Sequence, residues 1–240
     1  MAGGGPHPHD RELFAPDQLA RLRAAAAELR YLRDRGYALD SALKLVGDRH
    51  QLRERQRVAI SRATSESAGA AARAPRRVPE GAPPPAALHV DAFNVLITVE
   101  TAQNGGVLVT TVDGGLKDLA GIHGTYRPSD ATDRALDCIV RRLAARGWAG
   151  VATSFLLDAP VSNSGRLAER LRARAAAGAL PWTVDVVPDP DQDLSAAPPE
   201  VVVATGDACV LDRCGPWLDL GAEVVRGEVE RAWVIDLALG

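Results

Sequence analysis

Three aspartates stand where apolar runs end. LHV stops at Asp91 within DAFNVL, VATSFLL stops at Asp158, and EVVVATG stops at Asp207, with Asp212 following shortly after. In open parallel sheets, functional groups gather in the crevice beyond the carboxyl ends of the strands. Carboxylates brought together there repel, and such a cluster persists when a cation neutralises it. Carboxylates, the Asn94 amide and hydroxyls are hard oxygen donors, which suits Mg²⁺ or Mn²⁺. Each aspartate also has a plainer reading, because an Asp after a strand is often the N-cap of the next helix. Ser162, Asn163 and Ser164, just before the helical run at Gly165, are better caps than Asp158, so the plainer reading is weakest there.

Other chemistries lack their residues. There is no HExxH, and Cys209 and Cys214 do not have the short paired spacing of a zinc site. His89 and His123 are singletons, and a lone His is more often a structural hydrogen-bonding group than a ligand; the loop GIHGTYRP, with Tyr126 and Arg127, also allows His123 to face a substrate. The chain has no GxxxxGK[ST], no GxGxxG after its first strand and no GxSxG, which argues against P-loop hydrolases, dinucleotide enzymes and α/β-hydrolases. A phosphoaspartyl phosphatase would want an Asp at position 93, which is Phe93.

The elements that must position these acids follow from patterning. Leu88–Val90, Gly150–Leu157, Trp182–Val187, Glu200–Thr205 and Ala222–Val225 read as strands with little alternation, as in a parallel sheet covered on both faces. Val107–Val112 adds a short strand and Trp233–Leu239 an edge strand. Amphipathic helices are expected over Ala131–Arg146 and Gly165–Ala177. Alternating strands and helices predict a three-layer α/β sandwich over residues 88–240.

Residues 13–64 read as helices only. Leu19, Leu22, Ala26, Leu29 and Leu32 form one apolar face, Gly36 ends that helix, and Asp40 is expected to cap the next. Residues 21–63 carry eleven basic side chains against five acidic ones, which suggests either a phosphate-binding module or a solvated arginine face. Residues 65–87, rich in Ala and Pro, predict an extended linker, and residues 1–12 a disordered lead.

The 240 residues hold 46% apolar and 25% charged residues, enough apolar material for a sizeable core. The net charge of −3 is no polycation. With two lysines among 28 basic residues, the arginine excess is itself read as a coding bias rather than a nucleic-acid signature. Three scattered cysteines favour a reducing compartment, and neither a membrane span nor a signal peptide is visible, so a cytoplasmic location is expected.

Taken together, DAFNVL resembles the D-G-Y-N-V/L opening of NYN domains in the PIN-like nuclease superfamily. Ala204-Thr205-Gly206-Asp207 with Asp212 resembles that superfamily's later T/S-x-D motif, and Phe155-Leu-Leu-Asp158 its intermediate strand-end acid. Most of residues 17–227, the linker apart, resembles domain-of-unknown-function family 434, through ELRYLRDRGYALDSALKLVGDRHQLRERQR, HVDAFNVLITVE, DLAGIHGTYRPSD and LLDAPVSNSG. The superfamily resemblance implies a PIN-like fold and a metal-dependent nuclease. Members commonly add an acid from a central helix, for which Asp130, Asp133 and Asp137 are candidates, with Asp113 and Asp118 further ones.

The expectation is a Mg²⁺- or Mn²⁺-dependent phosphodiesterase acting on RNA. Asp91, Asp158 and Asp207 are its catalytic metal ligands, joined at the metal by Asp212. Asn94, Arg127, Ser162, Asn163, Ser164 and Thr205 lie toward substrate. The alternative is a non-catalytic PIN-like module that binds nucleic acid or protein.

Overall fold

Leucines and alanines three and four residues apart wind the first long helix. In the computed structural model, which describes residues 5–120 and 126–237, a short α1 (Asp10–Leu13) leads into α2 (Pro16–Arg33), α3 (Leu39–Arg49) and α4 (Glu54–Ala63). Pro16 sits at the start of α2, where its missing N–H costs nothing. Asp40 falls inside the first turn of α3, which Ala38 precedes as the cap. Leu22 and Leu29 of α2, Val46 of α3 and Ile60 of α4 share one core, and that core continues into Val107, Val109 and Ile235 from far along the chain.

Residues 65–87 differ from the extended linker expected of them. They contain α5 (Ser67–Arg73) and a turn of 3-10 helix over 74–76. Alanine is the best helix former even where no apolar stripe exists, and the arginines between the alanines act as anchors that an aliphatic pattern does not register. The lead also departs from disorder: the Asp10 carboxylate is fully buried, and Arg55 donates to it.

From there the chain forms β1 (Ala87–Asp91), α6 (Ala92–Gln103), β2 (Val107–Thr110), β3 (Leu116–Asp118), α7 (Asp130–Ala145) and β4 (Ala152–Asp158). It continues through α8 (Ser164–Gly178), β5 (Trp182–Val187), α9 (Pro190–Ser195), β6 (Val201–Ala204) and α10 (Ala208–Leu211). β7 (Trp217–Leu218), α11 (Leu220–Glu228) and β8 (Trp233–Asp236) complete it. A five-stranded parallel sheet has the order β5-β4-β1-β6-β7, and a smaller sheet the order β3-β2-β8.

Two elements depart from the patterning. Ala222–Val225 lies within α11 instead of a strand, because a four-residue apolar run carries no period of its own. α6 lacks an amphipathic stripe since it is buried on nearly every side, so no periodicity marks it.

The layers are unequal. α6, α7, α8 and α11 cover one face of the large sheet over Leu88, Val90, Phe155, Leu157 and Val202. On the other face, the short α9 and α10 lie over Leu156, Val203 and Trp217. Ala152, Thr183 and Asp185 on that face remain exposed. The third layer of the expected sandwich is therefore partial, and it sits at the carboxyl ends of the strands. Among the described residues no helix is long and apolar enough to cross a membrane.

The shared core predicts joint unfolding. Trp148, Trp182 and Trp217 pack away from the core of the helical block, whereas Trp233 packs against it and is replaced by Phe for this measurement. Ile60→Ala, inside that block, should nevertheless lower the stability read by tryptophan fluorescence in urea by about 2–5 kcal/mol. An unshifted fluorescence transition would mean that the two regions unfold separately.

Candidate functional site

The order β5-β4-β1-β6-β7 reverses direction between β1 and β6, and a parallel sheet opens a crevice beyond its strands at such a point. Asp91 ends β1 and Thr205 follows β6, so the two face each other across it. Thr205 Oγ1 donates to Asp91 Oδ2 at 2.9 Å, and Asn94 N–H donates to Asp91 Oδ1 at 3.1 Å. Gly206 N–H donates to Asn94 Oδ1 at 2.7 Å, and Asp207 N–H to Thr205 Oγ1 at 3.0 Å. Two of these bonds, Thr205 to Asp91 and Gly206 to Asn94, tie the β1–α6 turn to the β6–α10 turn, and the other two brace each turn internally. Asp91 is 8% exposed, and its carboxyl is pushed up to about 7. Loss of water is the main cause; the two hydrogen bonds oppose it, while Asp191 and Asp207 add to it.

Both strand-end aspartates cap helices as well. Asp91 caps α6 through Asn94, and Asp207 Oδ1 accepts from Cys209 N–H at 2.6 Å at the start of α10. Asp158 caps nothing; its carboxyl is raised by partial burial and then by Asp189. Asp191, in the first turn of α9, is raised by lost hydration and then by Asp207, Asp158 and Asp189. The charges of Asp91, Asp158, Asp189, Asp191 and Asp207 thus act on one another around one opening. An open cleft of about 620 Å³ continues from it, lined by Asp189, Asp191, Gln192, Ser195, Cys209 and Arg213. Among the described residues, no three His, Cys, Asp or Glu side chains are gathered closely enough to hold a metal ion.

Asp189 and Asp191 escape a reading centred on three strands, although the signal was available. β5 ends at Val187 and DPDQD follows it, so the strand-end rule applied to a fourth strand reaches both. His89 shares the Asp91 side of β1; burial holds its imidazole below the ordinary value, and its Nδ1 has no partner among the described residues.

Other expected residues lie elsewhere or have other partners. Asp212 turns to the buried Arg73 guanidinium, 3.3 Å away, because a buried cation needs a counter-charge. Asn163 adopts φ 69° and donates through Nδ2 to Tyr126 O at 2.6 Å; its side chain does not cap α8. Ser164 Oγ donates to the carbonyls of Asp158 and Val161. These side chains therefore shape the loop after Asp158. Ser162 and Arg127 are exposed beside that loop, and His123 lies outside the described residues. The helix acids Asp133 and Asp137 pair with Arg170 and Arg174, while Asp113 and Asp118 pair with Arg73 and Arg62.

The arginine face of the helical block is largely engaged inside the molecule. Arg33 pairs with Glu66, Arg49 with Glu28, Arg57 and Lys44 with Asp48, Arg55 with Asp10, and Arg62 with Asp118. Three arginines elsewhere differ. Arg213 at the cleft wall, Arg127 after Tyr126 and Arg166 at the start of α8 are exposed, with no ion pair among the described residues.

Fold and site together define an α/β protein with carboxylates at the switch point of a parallel sheet, preceded by a helical region packed onto it. The chain belongs to the family described as "Domain of unknown function (DUF5616)", which it matches over residues 85–223. Residues 21–76 match the family described as "Protein of unknown function (DUF434)". The chain is also similar to "Uncharacterized protein MJ0935" of Methanocaldococcus jannaschii, with 28% identity over 192 residues, which span 79% of this chain and 88% of that protein. No solved structure matches it.

The raised Asp91 carboxyl has a consequence for stability. The folded chain holds this proton up to about pH 7, whereas an unfolded Asp releases it near 3.8. Between these values the native state binds more protons, so Asp91 makes stability fall as pH rises, by a few kcal/mol in total. Urea unfolding at intervals across this range should show that loss in wild type and a correspondingly smaller one in Asp91→Asn. Parallel pH profiles for the two proteins would refute it.

Proposed function

We propose that the chain is a Mg²⁺- or Mn²⁺-dependent phosphodiesterase acting on RNA, built on a PIN-like α/β domain. The observation that carries this reading is the buried Asp91, tied to Thr205 at the sheet's switch point and electrostatically coupled to Asp191 and Asp207. The donor set is of the type a hard divalent cation takes, since it is made of carboxylate oxygens, and burial together with neighbouring carboxylates pushes the Asp91 and Asp191 carboxyls above the ordinary range. Holding the cation would require Asp91, Asp191 and Asp207 to close together from the wider spacing they have here, with Asp158 on the same opening. When bound, a cation of this class activates water and neutralises charge on phosphate oxygens.

The chain's own residues supply the rest. Thr205 fixes the rotamer of Asp91, and Asn94 holds the Gly206 backbone. The exposed arginines Arg127, Arg166 and Arg213, with Ser162, take the RNA backbone; Arg127 and Ser162 are expected toward substrate from the sequence, and for the helical block the reading as an internally engaged arginine face is preferred to a phosphate-binding one. Phosphates bind unpaired guanidinium groups, and those of the helical block are mostly paired. The unpaired cysteines Cys138, Cys209 and Cys214 accord with a reducing cytoplasm.

A second reading, a non-catalytic binding module, is favoured by one observation: Asp91 and Asp207 both serve as helix caps.

Asp207→Asn separates the two. Asn caps a helix as well as Asp does, so the metal-free melting temperature should hold or rise as repulsion with Asp191 is relieved. Mn²⁺ at a hundredfold excess over Kd should stabilise wild type by about 2.7 kcal/mol. The variant should lose that gain together with any RNA cleavage. Equal responses to Mn²⁺ in both proteins, or none in wild type, would refute the metal reading.

RNA binding is tested at the rim. Arg213→Ala should flatten the salt dependence of single-stranded RNA binding by roughly 0.7 in log–log slope, whereas Arg57→Ala should leave it unchanged. The reverse result would return the binding face to the helical block.

A further inference from the structure

The segment joining the helical block to β1 reaches the cleft. Arg73, at the end of α5, is 1% exposed. Its Nη2 donates to Ser65 Oγ at 2.8 Å and lies 3.3 Å from Asp113, while its Nη1 lies 3.3 Å from Asp212. Arg76 donates to the carbonyl of Leu211 at 2.8 Å and to that of Cys214. Arg77 lies over the Trp217 ring, Trp217 Nε1 donates to Arg73 O at 2.9 Å, and Val78 N–H donates to Trp217 O at 2.8 Å. The segment is thus laid along β7, the edge strand next to β6.

What these arginines grip is α10. Four residues, Ala208–Leu211, are too few for a helix to stand by itself. Asp207 caps its amino end, and its carboxyl end at Leu211 and Asp212 is held by Arg76 and Arg73. Asp207 and Cys209 sit at the first turn of the same element, and Cys209 lines the cleft with Asp191. An anchor at one end of a single turn sets the direction of the other.

We propose that Arg73 and Arg76 are positioning residues for the carboxylate cleft: by fixing the carboxyl end of α10 they set where Asp207 stands opposite Asp191. The positional claim rests on the contacts above; its bearing on cation binding rests on the function proposed for the cleft. The joining segment is then part of the site, and the α/β unit beginning at β1 does not contain everything the cleft needs.

The test uses the full chain. Arg76→Met keeps the aliphatic stem and removes the donors. Hydrogen exchange followed by mass spectrometry should show exchange across residues 207–214 accelerated about tenfold or more, with protection elsewhere retained. Titration with Mn²⁺ should show affinity about tenfold weaker. Arg76→Lys, with one donor group instead of a fork, should recover part of both. Wild-type exchange over 207–214 in folded Arg76→Met would overturn the proposal, as would loss of protection there only in step with every other segment. If Arg76→Met does not fold, Arg76→Lys is read instead: faster local exchange supports the proposal, and wild-type rates overturn it. If wild type fails to bind Mn²⁺, the cation reading falls, while the exchange data still decide the positioning.

Discussion

A carboxyl group almost without access to water must be held by something, and at the centre of this protein it is held by neighbours in sequence and across the sheet. Asp91 accepts one hydrogen bond from its own helix through Asn94 and one from the Thr205 hydroxyl. Neither cancels the cost of burial, since the carboxyl still rises to about 7. The surrounding architecture is what keeps it there. β1 is the middle strand of five, α6 starts directly beneath the aspartate, and Thr205 and Asn94 lock two turns into one unit. Charge with too little compensation, placed on rigid elements at a strand-order reversal, is the condition from which the chemical reading of the cleft grows.

Much of this was legible in the residues. Apolar runs ending in Asp located β1, β4 and β6, and the parallel sheet followed from their lack of alternation. What escaped did so for physical reasons. α6 shows no stripe because nearly all of it is buried, and Ala222–Val225 is too short to show a period. Asp191 is within reach of the strand-end rule at β5, but that it stands near Asp207 depends on α9 folding back over the sheet, which no local pattern states. Asp212 has the right type and spacing for the cleft, yet Arg73 claims it from a segment more than a hundred residues away.

Arginine illustrates the limit of counting. The helical block carries an excess of positive charge in sequence, but its guanidinium groups reach acids both within the block and beyond it, at Asp118 and Glu66. Their role there is mainly to bind parts of the chain to one another. The residues between the helical block and β1 show the same behaviour, with Arg73, Arg76 and Arg77 fastening an alanine-rich stretch to Trp217 and the loops around it. Few aromatic residues are available, 4% of the chain, and planar cations bridge carbonyls and carboxylates instead.

The shared core of the helical block bears on the order in which the molecule can be made. Leu22, Leu29 and Ile60 leave the ribosome well before Ile235 and Leu237, which complete the same core. Contacts so distant in sequence close slowly. The helices of that block therefore emerge with part of their apolar surface uncovered and keep it so until β8 has been made. A chain interrupted before β8 would display that surface permanently, a form that chaperones and proteases can distinguish from the finished protein.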